Sequence, residues 1–303
     1  VRIVLNKIVI FGVGLIGGSF ARALKKAGAV RTVVGMDRSA ASLARALELG
    51  IIDIIGDDMA DAIKGADLVL LAAPVAQAEA ILSALAPHLQ AGTVVTDAGS
   101  TKSDVVAAAR RALGGKVAQF VPGHPIAGRE TNGPEAAIDY LYVGKKFVLT
   151  PLAENSPDDI ERVAAAWQAC GAVIHRLTAQ EHDKVFAAVS HLPHLLAYAL
   201  VDDVANKPHA DLLFQFAASG FRDFTRIAGS SPEMWRDISL ANQPALLTEL
   251  DAYLAQLTTL RGHLAAGDGA ALESVYANAQ RARHQWITTI ETAEAPRNKD
   301  SAE

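Results

Sequence analysis

The chain has a single cysteine in 303 residues, Cys170, which excludes a fold held by internal disulfides and points to a reducing compartment. No block of Lys or Arg stands out. With 28 basic against 33 acidic residues the formal charge is −5, which argues against a nucleic-acid partner. No apolar run is read as reaching the roughly 18 residues of a membrane-spanning helix. The N-terminus also lacks the basic, apolar, then small-residue layout of a signal peptide. Internal repeats and low-complexity tracts are missing too. What is present is apolar character, 50% of residues, with only 20% charged. These features predict a cytoplasmic, soluble, globular protein with no membrane partner. At about 150 residues per domain, the length suggests two domains.

The two halves carry different patterns. Up to residue 177, short apolar runs alternate with helical patterns. The runs are Lys7–Phe11, Thr32–Asp37, Leu68–Ala73 and Thr93–Asp97, apolar on both faces as buried parallel strands must be. Between them, Ser19–Ala27, Ser39–Leu49 and Val75–Leu85 have apolar residues at three-to-four spacing. This alternation predicts an α/β domain, a doubly wound parallel sheet over residues 1–177. Phe147–Thr150 and Val173–Arg176, flanking a helix near Asp158–Cys170, are read as its last strands. Residues 178–303 read as all-α, with helices at Ala179–Ala205, Ala210–Ile227, Glu233–Ala241, Pro244–Ala265 and Gly269–Thr292. Some are apolar around most of their circumference, so burial against a second subunit is expected. Ser231-Pro232 is an N-cap followed by proline at the first helical position.

Gly12-Val13-Gly14-Leu15-Ile16-Gly17 follows a strand and opens a helix. In that setting Gly12 permits the tight turn and Gly14 lets backbone amides approach a pyrophosphate. Gly17 lets helix and strand pack closely, and the helix N-terminus faces the negative charge. Asp37, about 20 residues past Gly17 at the end of the second run, completes a dinucleotide fingerprint. A carboxylate there accepts from ribose hydroxyls and repels a 2′-phosphate, which favours NAD. Arg38 beside it softens the preference and keeps NADP open. Leu15 and Ile16 in the loop, with Ala73 and Pro74 after the third run, complete the expected cofactor contacts.

Three further clusters can carry chemistry. Asp97-Ala98-Gly99-Ser100-Thr101-Lys102 follows a strand and so lies at the carboxyl edge of the sheet, although Ser100 or Ser103 also reads as a helix N-cap. His124 sits between Gly123 and Pro125 in a loop, and a histidine titrating near neutrality suits proton transfer. His191 and His194 in Ser190-His191-Leu192-Pro193-His194 lie three apart on one helix face, and Pro193 is expected to bend or disrupt that helix. The pair lacks a third ligand, so no metal is expected. Arg222 and Arg226 are four apart; guanidinium groups grip carboxylates, so they read as an anion site or as a solvated ion-pair face.

Together with Pro232–Asp237, these stretches resemble the prephenate/arogenate dehydrogenase family of tyrosine biosynthesis. The matches are GVGLIGGS at Gly12–Ser19, DAGSTK at Asp97–Lys102, HPIAGRE at His124–Glu130, SHLPH at Ser190–His194, GFRDFTR at Gly220–Arg226 and PEMWRD at Pro232–Asp237. They fall in family order across nearly the whole chain. The resemblance implies a Rossmann domain followed by an all-helical dimerisation domain, and hence a homodimer.

It also implies the reaction: oxidative decarboxylation of a cyclohexadiene acid, prephenate or arogenate. Hydride leaves ring C4 for the nicotinamide, and the ring carboxylate departs as CO₂. By the same resemblance, His124 takes the 4-hydroxyl proton, and Ser100 lies near that hydroxyl and the nicotinamide. Arg226 binds a substrate carboxylate, while Ser190, His191 and His194 line the pocket. Glu130 matches a gating acid, and Trp235 a residue that reaches the neighbouring subunit's site. Feedback by tyrosine is expected as competition at this site, since no regulatory domain is expected beyond the helices. Two rivals stand beside this reading: another NAD(P)-linked enzyme, such as a hydroxyacid dehydrogenase or imine reductase, and a non-catalytic NAD-sensing protein.

Overall fold

The computed structural model describes residues 4–129 and 131–294. The chain divides into two compact units, Val1–Leu246 and Leu247–Glu303.

The first unit opens with β1 (Leu5–Phe11), α1 (Leu15–Lys26), β2 (Val30–Met36), α2 (Ala40–Glu48), β3 (Ile54–Ile55), α3 (Met59–Ile63) and β4 (Leu68–Leu71). It continues through α4 (Ala78–Leu85), β5 (Val94–Asp97), α5 (Ser103–Leu113) and β6 (Phe120–Val121). The six strands form one parallel sheet in the order β3-β2-β1-β4-β5-β6, the doubly wound arrangement expected from the alternation. Every residue of β4 and β5 is buried, because helices cover both faces. Chain order reverses between β1 and β4, which opens a crevice at their carboxyl ends where such sheets bind ligands.

Next come β7 (Gly123–Pro125), β8 (Lys146–Leu149), α6 (Pro157–Ala169) and β9 (Val173–Arg176). The last two sequence-predicted strands thus form, but not in the parallel sheet. They join β7 in a separate three-stranded sheet, with β7 antiparallel to β8 and β8 parallel to β9. An aromatic cluster anchors this sheet. Trp167 of α6 stacks on Phe147 of β8 at 4.2 Å and meets Phe20 of α1 at 4.5 Å and Tyr142 edge-on at 4.9 Å. All four rings are essentially buried. Residue 123 has to be glycine, since a Cβ would sit 2.2 Å from the Phe147 ring. His124 therefore rides on a strand fixed by the core.

After β9 the chain is helical: α7 (Ala179–Phe186), a π turn (Ala187–His191), α8 (Leu192–Ala205), α9 (Ala210–Gln215), α10 (Ser219–Thr225) and α11 (Pro232–Ala241). The predicted helix Ala210–Ile227 is broken: the first piece ends at Gln215, and extended Ala218 leads into the second. The Ser231 hydroxyl accepts from the Met234 amide and caps α11, as the Ser-Pro pair predicts. Helix α12 (Gln243–Ala265) begins in the first unit; its remainder and α13 (Gly269–Glu294) make up the described part of the second.

One exclusion needs correcting. Ala179–Ala205, 27 residues, is long and apolar enough to cross a membrane by length and composition. Its apolarity has a local use, because Phe186, Ala187, Leu192 and Ala197 are buried within the protein. His182, Asp183 and His191 on the same stretch are also buried and hydrogen-bonded.

Candidate active site

The glycine loop lies at the carboxyl end of β1. Gly12 has φ +93°, and a Cβ there would stand 2.7 Å from the Ala72 carbonyl oxygen. A Cβ on Gly17 would strike the Gly12 carbonyl. Gly14 differs: the nearest atom to its Cβ direction is the Gly133 nitrogen at 4.0 Å, so the loop is open where a pyrophosphate has to approach. Leu15 is buried, and the Ile16 carbonyl accepts from the Tyr142 hydroxyl at 2.6 Å, which braces the first turn of α1.

Asp37, just past β2, accepts from the Val13 amide at 3.2 Å and from the Ser39 amide at 2.9 Å. Its carboxylate is thereby aimed beside the loop, with exposed Arg38 adjacent. Across the crevice, Ala73 and Pro74 line a cleft with Val75, Asp97 and Gly99. The open glycine, the helix N-terminus and the acid at the end of β2 together fit a dinucleotide.

Beyond β5 the chain turns on Asp97. One carboxylate oxygen accepts from the Gly123 amide at 3.0 Å; the other accepts from the Gly99 amide at 2.9 Å and pairs with Lys102 Nζ. Both side chains are buried, so this ion pair is locked between the loop carrying Ser100 and the strand carrying His124. Neither serine caps α5 from within the loop. Asp183 of α7 does so instead, accepting the Lys102 and Ser103 amides at 2.8 Å each. A carboxylate suits a helix N-terminus, where the macrodipole is positive.

The same carboxylate ends a chain of imidazoles. Asp183 Oδ1 lies 2.9 Å from His182 Nδ1, and His182 Nε2 lies 2.9 Å from His124 Nδ1. Burial would raise the Asp183 pKa, but hydrogen bonds from His182, Ser103 and Lys102 outweigh it and hold the carboxyl below its usual range. An ionised carboxylate only accepts, so proton order follows along the line. His182 donates from Nδ1 and accepts at Nε2; His124 donates from Nδ1 and keeps an unprotonated Nε2. Burial, then the neighbouring His182, Lys102 and His191, push the His124 pKa well down, so its ring is neutral.

Pro193 is accommodated by the π turn immediately before it, a widening frequent at functional sites. His191 closes that turn and His194 follows three residues on; both rings lie against Trp235, at 6.1 Å and 3.5 Å, as the spacing predicts. His191 is buried, held down to a pKa of about 4 by burial first and His182 next, and contacts Asn242 and the Ser100 backbone. His194 is partly exposed; its Nδ1 donates to the Ser190 carbonyl at 2.8 Å, and its ring stacks on Trp235 at 3.5 Å. Trp235 thus packs on its own chain's His194, and its buried indole N–H meets no acceptor among the described residues. Arg222 lies on α10, while Arg226 begins the 3-10 turn Arg226–Gly229; both are exposed. The Tyr198 hydroxyl of α8 donates to Ser230 at 2.7 Å, tying the end of that turn to the helix carrying His194. Glu130 lies outside the described residues.

Sequence reasoning missed His182, Asp183 and Asn242 and quoted Asp97 and Lys102 without a role. The available signal was His182-Asp183, an adjacent pair of polar residues shortly before an apolar run.

The family model described as "Prephenate dehydrogenase, nucleotide-binding domain" matches residues 20–176, and "Prephenate dehydrogenase, dimerization domain" matches 178–277. The cyclohexadienyl dehydrogenase of Zymomonas mobilis is 40% identical over 284 residues, 92% of this chain and 96% of that protein. The crystal structure of Aquifex aeolicus prephenate dehydrogenase with hydroxyphenyl propionate and NAD+ superposes with a TM-score of 0.87 at 36% identity, covering 92% of this chain and 98% of that one. Synechocystis arogenate dehydrogenase gives 0.77 at 30% identity, covering 92% and 99%. With a doubly wound nucleotide-binding domain, a helical region after it and both family models matched in order, the chain belongs to the prephenate dehydrogenase family.

Proposed function

We propose that this protein catalyses the NAD-dependent oxidative decarboxylation of prephenate, arogenate or both, with His124 as the base for the ring hydroxyl. The observation that carries the reading is the Asp183–His182–His124 chain, which leaves the unprotonated nitrogen of a neutral imidazole for a donor. Bound NAD supplies the two-electron acceptor, held by the Gly12–Gly17 loop and Asp37.

His124 Nε2 takes the 4-hydroxyl proton as C4 becomes a carbonyl. The ring then carries a positive charge while its Nδ1–H still donates to His182, with the Asp183 carboxylate behind to stabilise it. Buried Lys102 opposes that charge, so the base does not trap its proton. Ser100, at the edge of the same loop, orients the hydroxyl, and Arg226 binds a substrate carboxylate by charge-assisted hydrogen bonds. The ring carboxylate leaves as CO₂, so a tight cationic clamp on that group would oppose the reaction.

His194 bears on the choice of substrate. With its Nδ1 proton committed to Ser190, its Nε2 is an acceptor, which suits the side-chain ammonium of arogenate better than the keto group of prephenate. This supports use of arogenate, and the relative from Zymomonas mobilis carries the broader name cyclohexadienyl dehydrogenase. Exposed apolar residues on and just after α9 and on α10, Leu212, Phe214, Phe216 and Phe224, support a homodimer. Its single buried cysteine is in keeping with a cytoplasmic enzyme.

The direct test is reduction of NAD and of NADP at 340 nm with each acid as sole substrate. Turnover of either acid supports the reading. None from folded, NAD-binding protein overturns it.

A further inference from the structure

We propose that Asn242, at the junction of α11 and α12, is a positioning residue that sets the tautomer of His191 and through it holds the Ser100 loop. The inference rests on the reading of Ser100 and His124 as the reacting pair. Asn242 is 3% exposed and His191 1%, so neither reaches solvent. The Asn242 amide nitrogen donates to the Asp183 backbone carbonyl at 2.8 Å and stands 3.1 Å from His191 Nδ1. A carbonyl only accepts, which fixes the orientation of the amide: the atom facing the imidazole is NH₂, not oxygen. His191 Nδ1 is then the acceptor, and its proton lies on Nε2. The Ser100 backbone also hydrogen-bonds His191, and with Nδ1 turned to Asn242 the proton-bearing Nε2 is the nitrogen left to donate to it.

Asn242 therefore joins three segments that the sequence keeps apart. It grips α7 through the Asp183 carbonyl and orients His191 of the π turn, which reaches the loop after β5. The far end of that loop is held by the Asp183 carboxylate at Lys102 and Ser103. Ser100 is thus braced from both sides by groups converging on one residue of α7. The ionisable groups facing His191 are His182 and Asp183 of α7 and His194 of α8; burial keeps the ring neutral among them. In this arrangement His191 is a strut behind the loop, not a wall of the substrate pocket.

Asn242→Asp replaces the donor with an acceptor. The imidazole must then put its proton on Nδ1, or gain a second one, and the Ser100 carbonyl loses its neutral partner. The imidazole tautomers are read by long-range ¹⁵N–¹H correlation on the full chain without substrate, with the His191 signals identified by their loss in His191→Gln. The expected result is His191 protonated on Nε2 alone, changing to Nδ1–H or to the cation in Asn242→Asp. Wild-type His191 carrying its proton on Nδ1 overturns the inference, and that readout holds even if neither acid is turned over. In the active enzyme, Asn242→Asp should lower kcat about 10- to 100-fold, the scale of a small misplacement at the reacting centre, with the KM for NAD little changed. His191→Gln, which keeps a donor toward Ser100, should retain more kcat than His191→Asn, which does not. Equal losses in those two variants, or a loss confined to thermal stability, would reduce the pair to a packing contact.

Discussion

His124 Nδ1 and His182 Nε2 stand 2.9 Å apart, from residues 58 positions apart in the chain, and only one proton can lie on that line. The Asp183 carboxylate beyond His182 decides which ring supplies it. In the proposed mechanism the free nitrogen of His124 is thereby kept as a base, and protonation of that nitrogen abolishes it. Because burial and nearby positive charge lower the His124 pKa, the acid limb of kcat/KM should fall below the ordinary histidine range near 6.5. His124→Asn should leave NAD binding near normal and cut kcat by about 10²-fold or more, the scale of general acid–base catalysis. A pH profile with its acid limb at or above 6.5, or unchanged turnover in the variant, would remove His124 from the mechanism.

Lys102 gives a separate handle on the same base. Its charge lowers the pKa of both His124 and His182, while Asp97 neutralises it in a fully buried pair. Lys102→Met should therefore move the acid limb upward. It should also cost about 3–5 kcal/mol of stability, since Asp97 is left buried without its partner. Lys102→Met combined with Asp97→Asn should recover part of that loss. Denaturant unfolding of the single and double variants checks the stability, and kcat/KM against pH checks the limb.

Much of this arrangement was legible in the chain. Runs such as Leu68–Leu71, apolar on both faces, announce a covered parallel sheet, and the Gly12–Gly17 loop with Asp37 locates the nucleotide crevice. His124 between Gly123 and Pro125 stood out, but the segment that read as a loop is strand β7, since it pairs with β8. The second sheet was not legible, because β8 and β9 have the same apolar character as the strands of the first. Nor was the chain His124–His182–Asp183, whose members belong to a strand and a distant helix and have no common spacing. Spacing did suggest that His191 and His194 share a role. Both rings do lie against Trp235, but burial and the Asn242 contact set His191 apart from the partly exposed His194, and spacing alone reports neither.

Stability should fall steeply in mild acid. His124, His182 and His191 all have folded pKa values below 6.5, so the unfolded chain binds more protons as the pH drops through and below that value. Each such histidine leaves stability unaffected well above 6.5 and erodes it from there down to its folded pKa. For His191 that window runs from 6.5 to about 4, a cost of roughly 3 kcal/mol by its lower end. Asp183, whose folded pKa is depressed, adds a further loss below the usual carboxylate range. Tm measured from pH 7 to pH 4 should decline, and His191→Gln should flatten the slope. An unchanged slope would mean that His191 titrates alike in the folded and unfolded chain.

Cofactor choice should turn on Asp37. Its carboxylate is fixed by the Val13 and Ser39 amides beside the glycine loop, where it repels a 2′-phosphate, and Arg38 lies next to it. Asp37→Ser should raise the KM for NAD and lower that for NADP, shifting the ratio of kcat/KM toward NADP by about 10-fold or more, as expected for the exchange of one charged contact for another. Equal use of both cofactors by the unaltered enzyme would show that Arg38 already offsets the acid.

Arg226 should govern affinity for the acid and for tyrosine together. It lies in the turn whose end is tied to α8, the helix carrying His194, on which Trp235 of α11 stacks. A hydrogen bond to a charged group contributes about 1.5–3 kcal/mol, so Arg226→Ala should raise the substrate KM roughly 10- to 100-fold while the KM for NAD holds. Tyrosine has the same side-chain carboxylate and ammonium as arogenate. If it inhibits by occupying this site, its inhibition constant should rise in the variant by a similar factor, and excess substrate should relieve inhibition in the unaltered enzyme. Noncompetitive inhibition, or a tyrosine constant unmoved while the substrate KM climbs, would place the effector elsewhere. Loss of kcat alone would mean that the guanidinium is felt only in the transition state, which for a group distant from C4 would require it to act through the position of the ring.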